Sequence, residues 1–489
     1  MFFQIPFGGG VAAPVILGWI AIAVLCSWAV TLVMGAVVIH YRRPERAWAW
    51  LAVMFGLPWL GLVLYVLYGG QVLTVRRRRR YGRRRSAGEK QHETGLLEPH
   101  IAWPQVPEHL GGVARQAEAV GGFPPVGGNL VSLSADHQKI LDRLLADIEA
   151  AENHIHMVFY IFSDDEVGGR VTEALIEAAG RGVRCRLLLD SVGCGPAFHR
   201  LVPTLKKHGI EVRAAFRVNP FRSHLKRFDL RNHRKIAIFD GRTVHVGSWN
   251  VCSPTYRTPY SGPRHNVMMR VQGPLALQMQ GLFLMDWEFE GPPPEEDEGL
   301  FPPMKNREGV ITQTLPSDPM VPSAPVRDVT QFLLGRAERE IVLVSPYFVP
   351  DEPIELALCL AAKRGVDVNI IVPARSDLRF VDAATRAYCR VCSEEGVKVH
   401  VYQDGFLHAK MLLVDDAVAM VGSANFDNRS FRLNVETNAI GYSTQFVGEV
   451  RRVVQKYMAR CGGLEEAFGA PHLHRQMYED AARLFSPLL

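Results

Sequence analysis

One pattern of residues occurs twice in this chain of 489 residues, and a duplicated pattern this long commits the chain to a duplicated substructure. The first copy is His233-Arg234-Lys235, four residues, Asp240, six residues, then Gly247-Ser248-Trp249-Asn250. The second is His408-Ala409-Lys410, four residues, Asp415, six residues, then Gly422-Ser423-Ala424-Asn425. Six residue types at fixed spacing arise by chance at on the order of one start position in 10⁸. The likeness continues upstream. An apolar strand at 155–162, a helical stretch at 171–179, Arg181-Gly182-Val183 and a strand at 184–189 precede the first copy. A strand at 341–347, a helix near 354–363, Arg364-Gly365-Val366 and a strand at 367–372 precede the second. Strands and helices alternating at these lengths predict βαβ units and a largely parallel sheet. The expected fold class is therefore α/β, with two pseudo-symmetric repeats at 131–300 and 301–489, the second carrying C-terminal helices.

The spacing has chemical content. Residues i and i+2 of a strand share a face, so each His and its Lys point the same way. Asp240-Gly241 signals a tight hairpin turn, with Asp415-Asp416 in the matching place. Centring the turn there puts His233 opposite Ser248 and His408 opposite Ser423, so each hairpin is expected to gather its own His, Lys and Ser, with Asn250 or Asn425 just beyond. Asp240 and Asp415 belong to the catalytic motif, but an Asp at this place can also cap its own turn, and an architectural role is the stronger expectation. A phosphodiester suits such a set. Neutral imidazole can attack phosphorus and imidazolium can protonate the departing oxygen. Two lysines and two asparagines can hold the non-bridging oxygens as charge builds. The lysines fill the place a cation would take, and no dense carboxylate or Cys/His cluster suggests a metal or other cofactor.

Ahead of the repeats the composition changes. Residues 1–39 and 47–75 contain no charged side chain. The segments 11–39 and 47–68 are each long enough to cross about 30 Å of hydrocarbon as a helix, so residues 1–75 are expected to form a two-helix transmembrane hairpin. Arg42, Arg43 and Arg46 lie in its loop. Eight arginines, at 76–80 and 83–85, follow it and favour a cytoplasmic catalytic region. Beside a membrane span such a cluster is better matched to anionic headgroups than to nucleic acid. Residues 76–130 then read as basic cluster and Gly/Pro-rich linker. The eight cysteines are scattered without a disulfide framework, which fits reduced thiols in the cytoplasm. Cys389 and Cys392 form a CxxC on an expected helix, with no second ligand pair near it. Residues 216–228 mix Arg217, Arg222, Lys226 and Arg227 with Phe216, Phe221 and Phe228. They read equally as an interface-dipping segment or an ordinary solvated loop.

The two motifs resemble the paired HKD motifs of the phospholipase D superfamily. Arg231-Asn232-His233-Arg234-Lys235 and 422–430 (Gly-Ser-Ala-Asn-Phe-Asp-Asn-Arg-Ser) resemble those of the bacterial cardiolipin synthases in particular, as do Leu57-Pro58-Trp59-Leu60-Gly61 and the terminal 483–489. The resemblance implies transfer of a phosphatidyl group between two phosphatidylglycerol molecules with release of glycerol, at the inner membrane of a bacterium, without nucleotide or metal. It implies His233 and His408 as nucleophile and general acid/base, with the lean toward His233 as nucleophile. Lys235, Lys410, Asn250 and Asn425 become phosphate ligands beside Ser248 and Ser423. Glu436 matches the acidic residue that orients the family's second His. Asn266 stands where related enzymes tend to carry Asp, and the resemblance implies that this neutral amide supports a protonated His233 less well. The expected partners are phosphatidylglycerol and anionic membrane lipids, with no nucleic acid. The alternatives are a hydrolase, another acceptor alcohol, a nuclease using the same two histidines, and a non-catalytic membrane scaffold. The membrane spans and the lack of a basic, aromatic strand-binding module weigh against a nuclease, and two intact motifs weigh against a scaffold.

Overall fold

Hydrogen-bonding one repeat's sheet edge to the other's removes two exposed strand edges at once, and this is how the duplication is used. The structure is a computed structural model that describes residues 12–41, 44–65, 95, 97–217, 229–294, 299–305, 307–321, 323–469 and 472–486. The arginine cluster at 76–85 and the segment 218–228 lie outside the described residues. Contacts divide the chain into an N-terminal unit, 1–74 with 220–228, and a larger unit with the remainder.

In the N-terminal unit, α1 (Ala12–Tyr41) is a single helix whose window 16–40 is long and apolar enough to cross a membrane. The next apolar segment differs from the expected continuous helix. It is split into α2 (Pro44–Gly56) and α3 (Pro58–Leu64) at Leu57. Pro58 has no N–H and crowds the residue before it out of helical geometry, and Leu57 has φ −138° and ψ 75°. The chain folds back tightly there: a Cβ on Gly61 would lie 2.7 Å from the Cα of Met54. Val38, Ala47, Met54 and Tyr65 form the small apolar core of this unit.

The larger unit is built on one sheet. The first repeat supplies β1 (Val126–Ser134), β2 (His154–Phe159), β3 (Arg184–Asp190), β4 (Glu211–Ala215), β5 (Arg231–Asn232), β6 (Lys235–Phe239), β7 (Thr243–Gly247), β8 (Arg264–His265) and β9 (Met268–Gln272). The second supplies β10 (Val310–Ser317), β11 (Glu340–Val344), β12 (Phe348–Val349), β13 (Asp367–Pro373), β14 (Lys398–Tyr402), β15 (Phe406–Leu407), β16 (Met411–Val414), β17 (Val418–Gly422), β18 (Phe426–Asp427), β19 (Asn434–Gly441) and β20 (Cys461–Gly463). The strands run β4-β3-β2-β6-β7-β9-β1 in one half and β10-β19-β17-β16-β11-β13-β14 in the other, with β20 beyond β14. Each half is the mirror order of the other, and they join where β1 pairs antiparallel with β10. Strands β2, β3 and β4 are mutually parallel, as are β11, β13 and β14. Crossover helices connect them at 166–180, 195–207, 352–363 and 379–394. These strands are buried along most of their length, as strands covered on both faces are. Two separate cores follow, one per repeat. Helix starts are capped by side chains: Asp165 accepts from the N–H groups of Val167 and Gly168, and Ser443 accepts from that of Phe446.

Candidate active site

Each motif histidine directly follows a two-residue strand that leaves its own half of the sheet for the other. Strand β5 pairs parallel with the start of β19, and the His233 N–H donates to the Val435 carbonyl at 2.8 Å. Reciprocally, β15 pairs with β8, and the His408 N–H donates to the His265 carbonyl at 2.8 Å. These two-residue exchanges bring both motifs to one place at the join between the repeats. They also decide which residue orients which histidine.

His233 Nδ1–H donates to both carboxylate oxygens of Glu436, at 2.9 Å each. Glu436 also accepts from Ser423 at 2.6 Å, Ser430 at 2.8 Å and Asn434 at 3.2 Å. His408 Nδ1–H donates to the Asn266 side-chain oxygen at 2.8 Å, and Ser248 donates to the same oxygen at 3.2 Å. Glu436 therefore orients the first histidine and Asn266 the second, the reverse of the expected assignment. The physical reason is the strand exchange, which carries each His past its own third strand to that of the other repeat. Fixing Nδ1–H on both rings leaves each Nε2 as the reactive nitrogen.

The serines are corrected likewise. Ile236 faces Val246 and Phe239 faces Thr243, so the first turn is centred on Gly241. Met411 faces Val421, which centres the second on Asp416. Extending these registers puts His233 level with Trp249 and His408 level with Ala424, one residue from the expected Ser. A one-residue offset turns a side chain to the other face of its strand. Ser248 and Ser423 instead lean onto the next strand, where they accept from the N–H groups of Val267 at 2.9 Å and Thr437 at 3.0 Å. Each Ser thus braces the group that orients the other repeat's histidine.

Lys235 Nζ donates to the His233 carbonyl at 2.6 Å and Lys410 Nζ to the His408 carbonyl at 2.8 Å. Asn250 accepts from the Ile161 N–H at 3.1 Å through its side-chain oxygen, which leaves its NH₂ as the group it can offer a ligand. Asn425 donates to Asp427 at 2.9 Å. Asp240 and Asp415 are placed differently from the rest. Each sits in the left-handed region at the far end of its hairpin, with φ 52° and 54°. The Asp240 carboxylate accepts from the N–H groups of Glu152, Asn153 and His154, and that of Asp415 from Glu338, Arg339 and Glu340. Counted above with the catalytic motif, they are turn anchors that fix each hairpin to the start of the neighbouring strand.

The site is dry and electropositive. Burial pushes His233 down to about 4 even though Glu436 pulls it up. His408 is held well below the usual imidazole range by burial, then by Lys410, Arg264, Lys235 and His233. Burial lowers Lys235 to about 7 and Lys410 well below its ordinary value. Burial raises Glu436, but His233, Lys235 and Ser423 outweigh it and hold the carboxyl below its ordinary value. The two histidine and two lysine shifts all penalise positive charge in the buried site, and a phosphodiester held there would offset that penalty.

Several contributors lay outside the sequence reading. The Tyr160 ring packs edge-on against His233 at 4.8 Å, with Lys235 Nζ 5.2 Å from its centre. Asp286 takes Asn232 and Arg234, and Asp190 accepts from the Asn232 N–H at 3.0 Å, which pins the residues around His233. The polar flanks of His233 in Arg231-Asn232-His233-Arg234 were the available signal: buried polar residues in a strand require partners.

The family described as cardiolipin synthase, PLD-like domain matches the chain at 144–287 and again at 332–458. The phospholipase D-nuclease N-terminal family matches 21–70. Cardiolipin synthase A of Pectobacterium atrosepticum is 34% identical over 458 residues, covering 92% of this chain and 94% of that protein. Cardiolipin synthase A of Yersinia pestis is 34% identical over 457 residues with the same coverage. The crystal structure of phosphatidylserine synthase from Haemophilus influenzae matches with a TM-score of 0.60 at 13% identity, over 77% of this chain and 100% of that one, which marks a shared fold. The paired sheet and its two converging His-x-Lys motifs are those of a phosphatidyltransferase of the phospholipase D superfamily. Within it, the chain belongs to the cardiolipin synthases.

Proposed function

We propose that this enzyme moves a phosphatidyl group from one phosphatidylglycerol to the hydroxyl of a second, releasing glycerol, with the group carried in between on His233. The observation that carries this reading is the unequal pairing of the two histidines, His233 on a carboxylate and His408 on an amide. A phosphorylated imidazole bearing Nδ1–H is cationic and must last until the second lipid arrives. Glu436 neutralises such a cation, and an amide cannot.

In the first step the His233 Nε2 lone pair forms a bond to phosphorus. The bond from phosphorus to the glycerol oxygen breaks, and His408, which takes up a proton on Nε2 when the anionic phosphodiester enters, delivers that proton to the oxygen. In the second step the neutral His408 takes the proton of the incoming lipid hydroxyl. Its oxygen bonds to phosphorus, and the bond from nitrogen to phosphorus breaks. Lys235, Lys410, Asn250 and Asn425 hold the non-bridging oxygens. His233 and His408 are only 9% and 6% exposed, and a site that excludes water favours a lipid alcohol over hydrolysis. The catalytic region is assigned to the cytoplasmic face, because every Arg near α1 follows it in sequence.

Purified protein given phosphatidylglycerol alone should yield cardiolipin and one glycerol per cardiolipin. Acid quenching should trap phosphatidyl on His233 and not on His408. Phosphatidic acid as the main product would mean a hydrolase, and an adduct on His408 would reverse the two roles.

A further inference from the structure

The C-terminal helix Leu473–Leu484 is packed the opposite way round from an ordinary amphipathic helix. Its inward face is held by charge. Glu479 is buried against the helix Arg379–Glu394 and accepts from Arg386 and Arg390 at 2.7 Å each and from Arg475 at 3.0 Å. Its outward face carries an apolar stripe bordered by Asp480, which pairs with Arg390. Leu473, Met477 and Leu484, spaced along one side, are 76%, 65% and 77% exposed.

This stripe continues into a loop beside the active site. The Phe380 ring lies 6.2 Å from Tyr478 and 6.1 Å from Phe485. Phe380 ends the run Arg375-Ser376-Asp377-Leu378-Arg379-Phe380, in which Arg375, Leu378, Arg379 and Phe380 are all exposed. Asp377 of that run accepts from Arg264 at 2.8 Å and from the Tyr347 hydroxyl. The Arg264 guanidinium lies 5.5 Å from the Phe406 ring centre, and that ring is 5.3 Å from His408. The loop follows β13, at the carboxyl edge of the parallel strands, where α/β sheets place their sites.

We propose that this patch is a second membrane contact, lying in the headgroup and upper acyl region of an anionic leaflet and seating the active-site mouth on the bilayer. The proposal rests on the reading that the substrate is phosphatidylglycerol. The choice of a bilayer over a protein partner comes from the composition. Leucine, methionine and aromatic side chains lie beside Arg375 and Arg379, a composition suited to an acyl boundary under anionic headgroups. Its continuity with the His408 side of the site would shorten the path of a lipid from leaflet to phosphorus.

The test uses the full chain with Cys26→Ser, reconstituted in vesicles of phosphatidylcholine and phosphatidylglycerol. A nitroxide is attached through Met477→Cys or, separately, Leu378→Cys. Both labels should be shielded from a water-soluble nickel chelate and accessible to oxygen in the acyl region. Full exposure to the chelate, or shielding that disappears when protein is diluted into excess lipid, would overturn the proposal, the latter in favour of a second copy of the chain. Turnover supplies an independent measurement. Leu378→Asp with Phe380→Asp should slow vesicle phosphatidylglycerol by at least about tenfold and leave monomeric short-chain phosphatidylglycerol within about twofold. Equal loss on both, or no loss on vesicles, counts against a membrane role. An unaltered chain inactive on both lipids would remove the substrate assignment, while the label accessibilities would still decide the contact.

Discussion

His233 and His408 share a local sequence but not an environment: a carboxylate orients the first and an amide the second. Asn266→Asp would put a carboxylate where the amide now accepts the His408 Nδ1–H. A charge that close favours the imidazolium and should raise the His408 pKa. If His408 is the general acid, the alkaline limb of the kcat profile moves up. If it is the nucleophile, the acidic limb moves up instead, so the pH profile of this variant separates the two roles. Burial has a further consequence at this scale. His154 and His233 are both pushed from the ordinary value of 6.5 down to about 4. Between those values the unfolded chain binds protons that the folded chain refuses, so stability is full above about pH 6.5 and falls as pH drops toward 4. Apparent melting temperature in detergent should decline steadily from pH 7 to 4.5, and a flat profile would contradict the burial of these rings. The identity of the site residues was legible because the motif repeats. Their partners were not, because β5 and β15 are two residues long and carry no periodicity.

The hairpins are where sequence spacing and geometry meet. Gly247 and Gly422 begin the Gly-Ser of each motif because the next strand presses against them. A Cβ at Gly422 would come within 2.1 Å of the Asn438 side-chain oxygen and 2.4 Å of the Thr437 carbonyl, and one at Gly247 within 2.4 Å of the Val267 carbonyl. Gly422→Ala must displace β17 from β19, and with it Ser423 and the Glu436 carboxylate it braces. We expect activity to fall on the order of 100-fold, the cost of about 1 Å of misplacement in a catalytic group. A variant of near-normal rate would remove the case for Glu436 as the orienting group. Asp415→Ala should behave in the opposite manner. Three backbone N–H groups lose their acceptor, so stability should drop by roughly 1–3 kcal/mol while the rate per folded molecule stays within about twofold. A lost rate without lost stability would return Asp415 to the catalytic set. The two βαβ units could be read from alternating apolar runs, but the helix 111–121 and the start of β1 lay in the segment read as linker, and the strands around the join pair antiparallel rather than parallel. The register could not, because each turn has three residues, 240–242 and 415–417, where a two-residue turn was read from the Asp-Gly signal.

At the scale of the whole molecule the open quantity is the number of membrane crossings. Hydropathy reports composition, and composition made 47–68 look like a second span. It is blind to helix continuity, which Pro58 interrupts. Helix α1, with 30 residues, spans about 45 Å and exceeds the roughly 30 Å of hydrocarbon. Helix α2, with 13, spans about 20 Å, and α3 folds back on it. A single crossing by α1 puts the N-terminus outside, and a hairpin with two crossings would put it inside. For both, the positive-inside bias favours the cytoplasmic side for residue 76 onward, the side we propose, since 1–39 carries no charge and Arg42, Arg43, Arg46 and the later cluster all follow α1. We expect a reporter that works only outside to be active at the N-terminus and silent after Leu489, with a cytoplasmic reporter giving the converse. Cytoplasmic signal at both ends would restore the two-crossing hairpin and require α2 and α3 to straighten in lipid. Outside signal after Leu489 would remove the catalytic site from the leaflet whose anionic lipids the arginines are placed to attract.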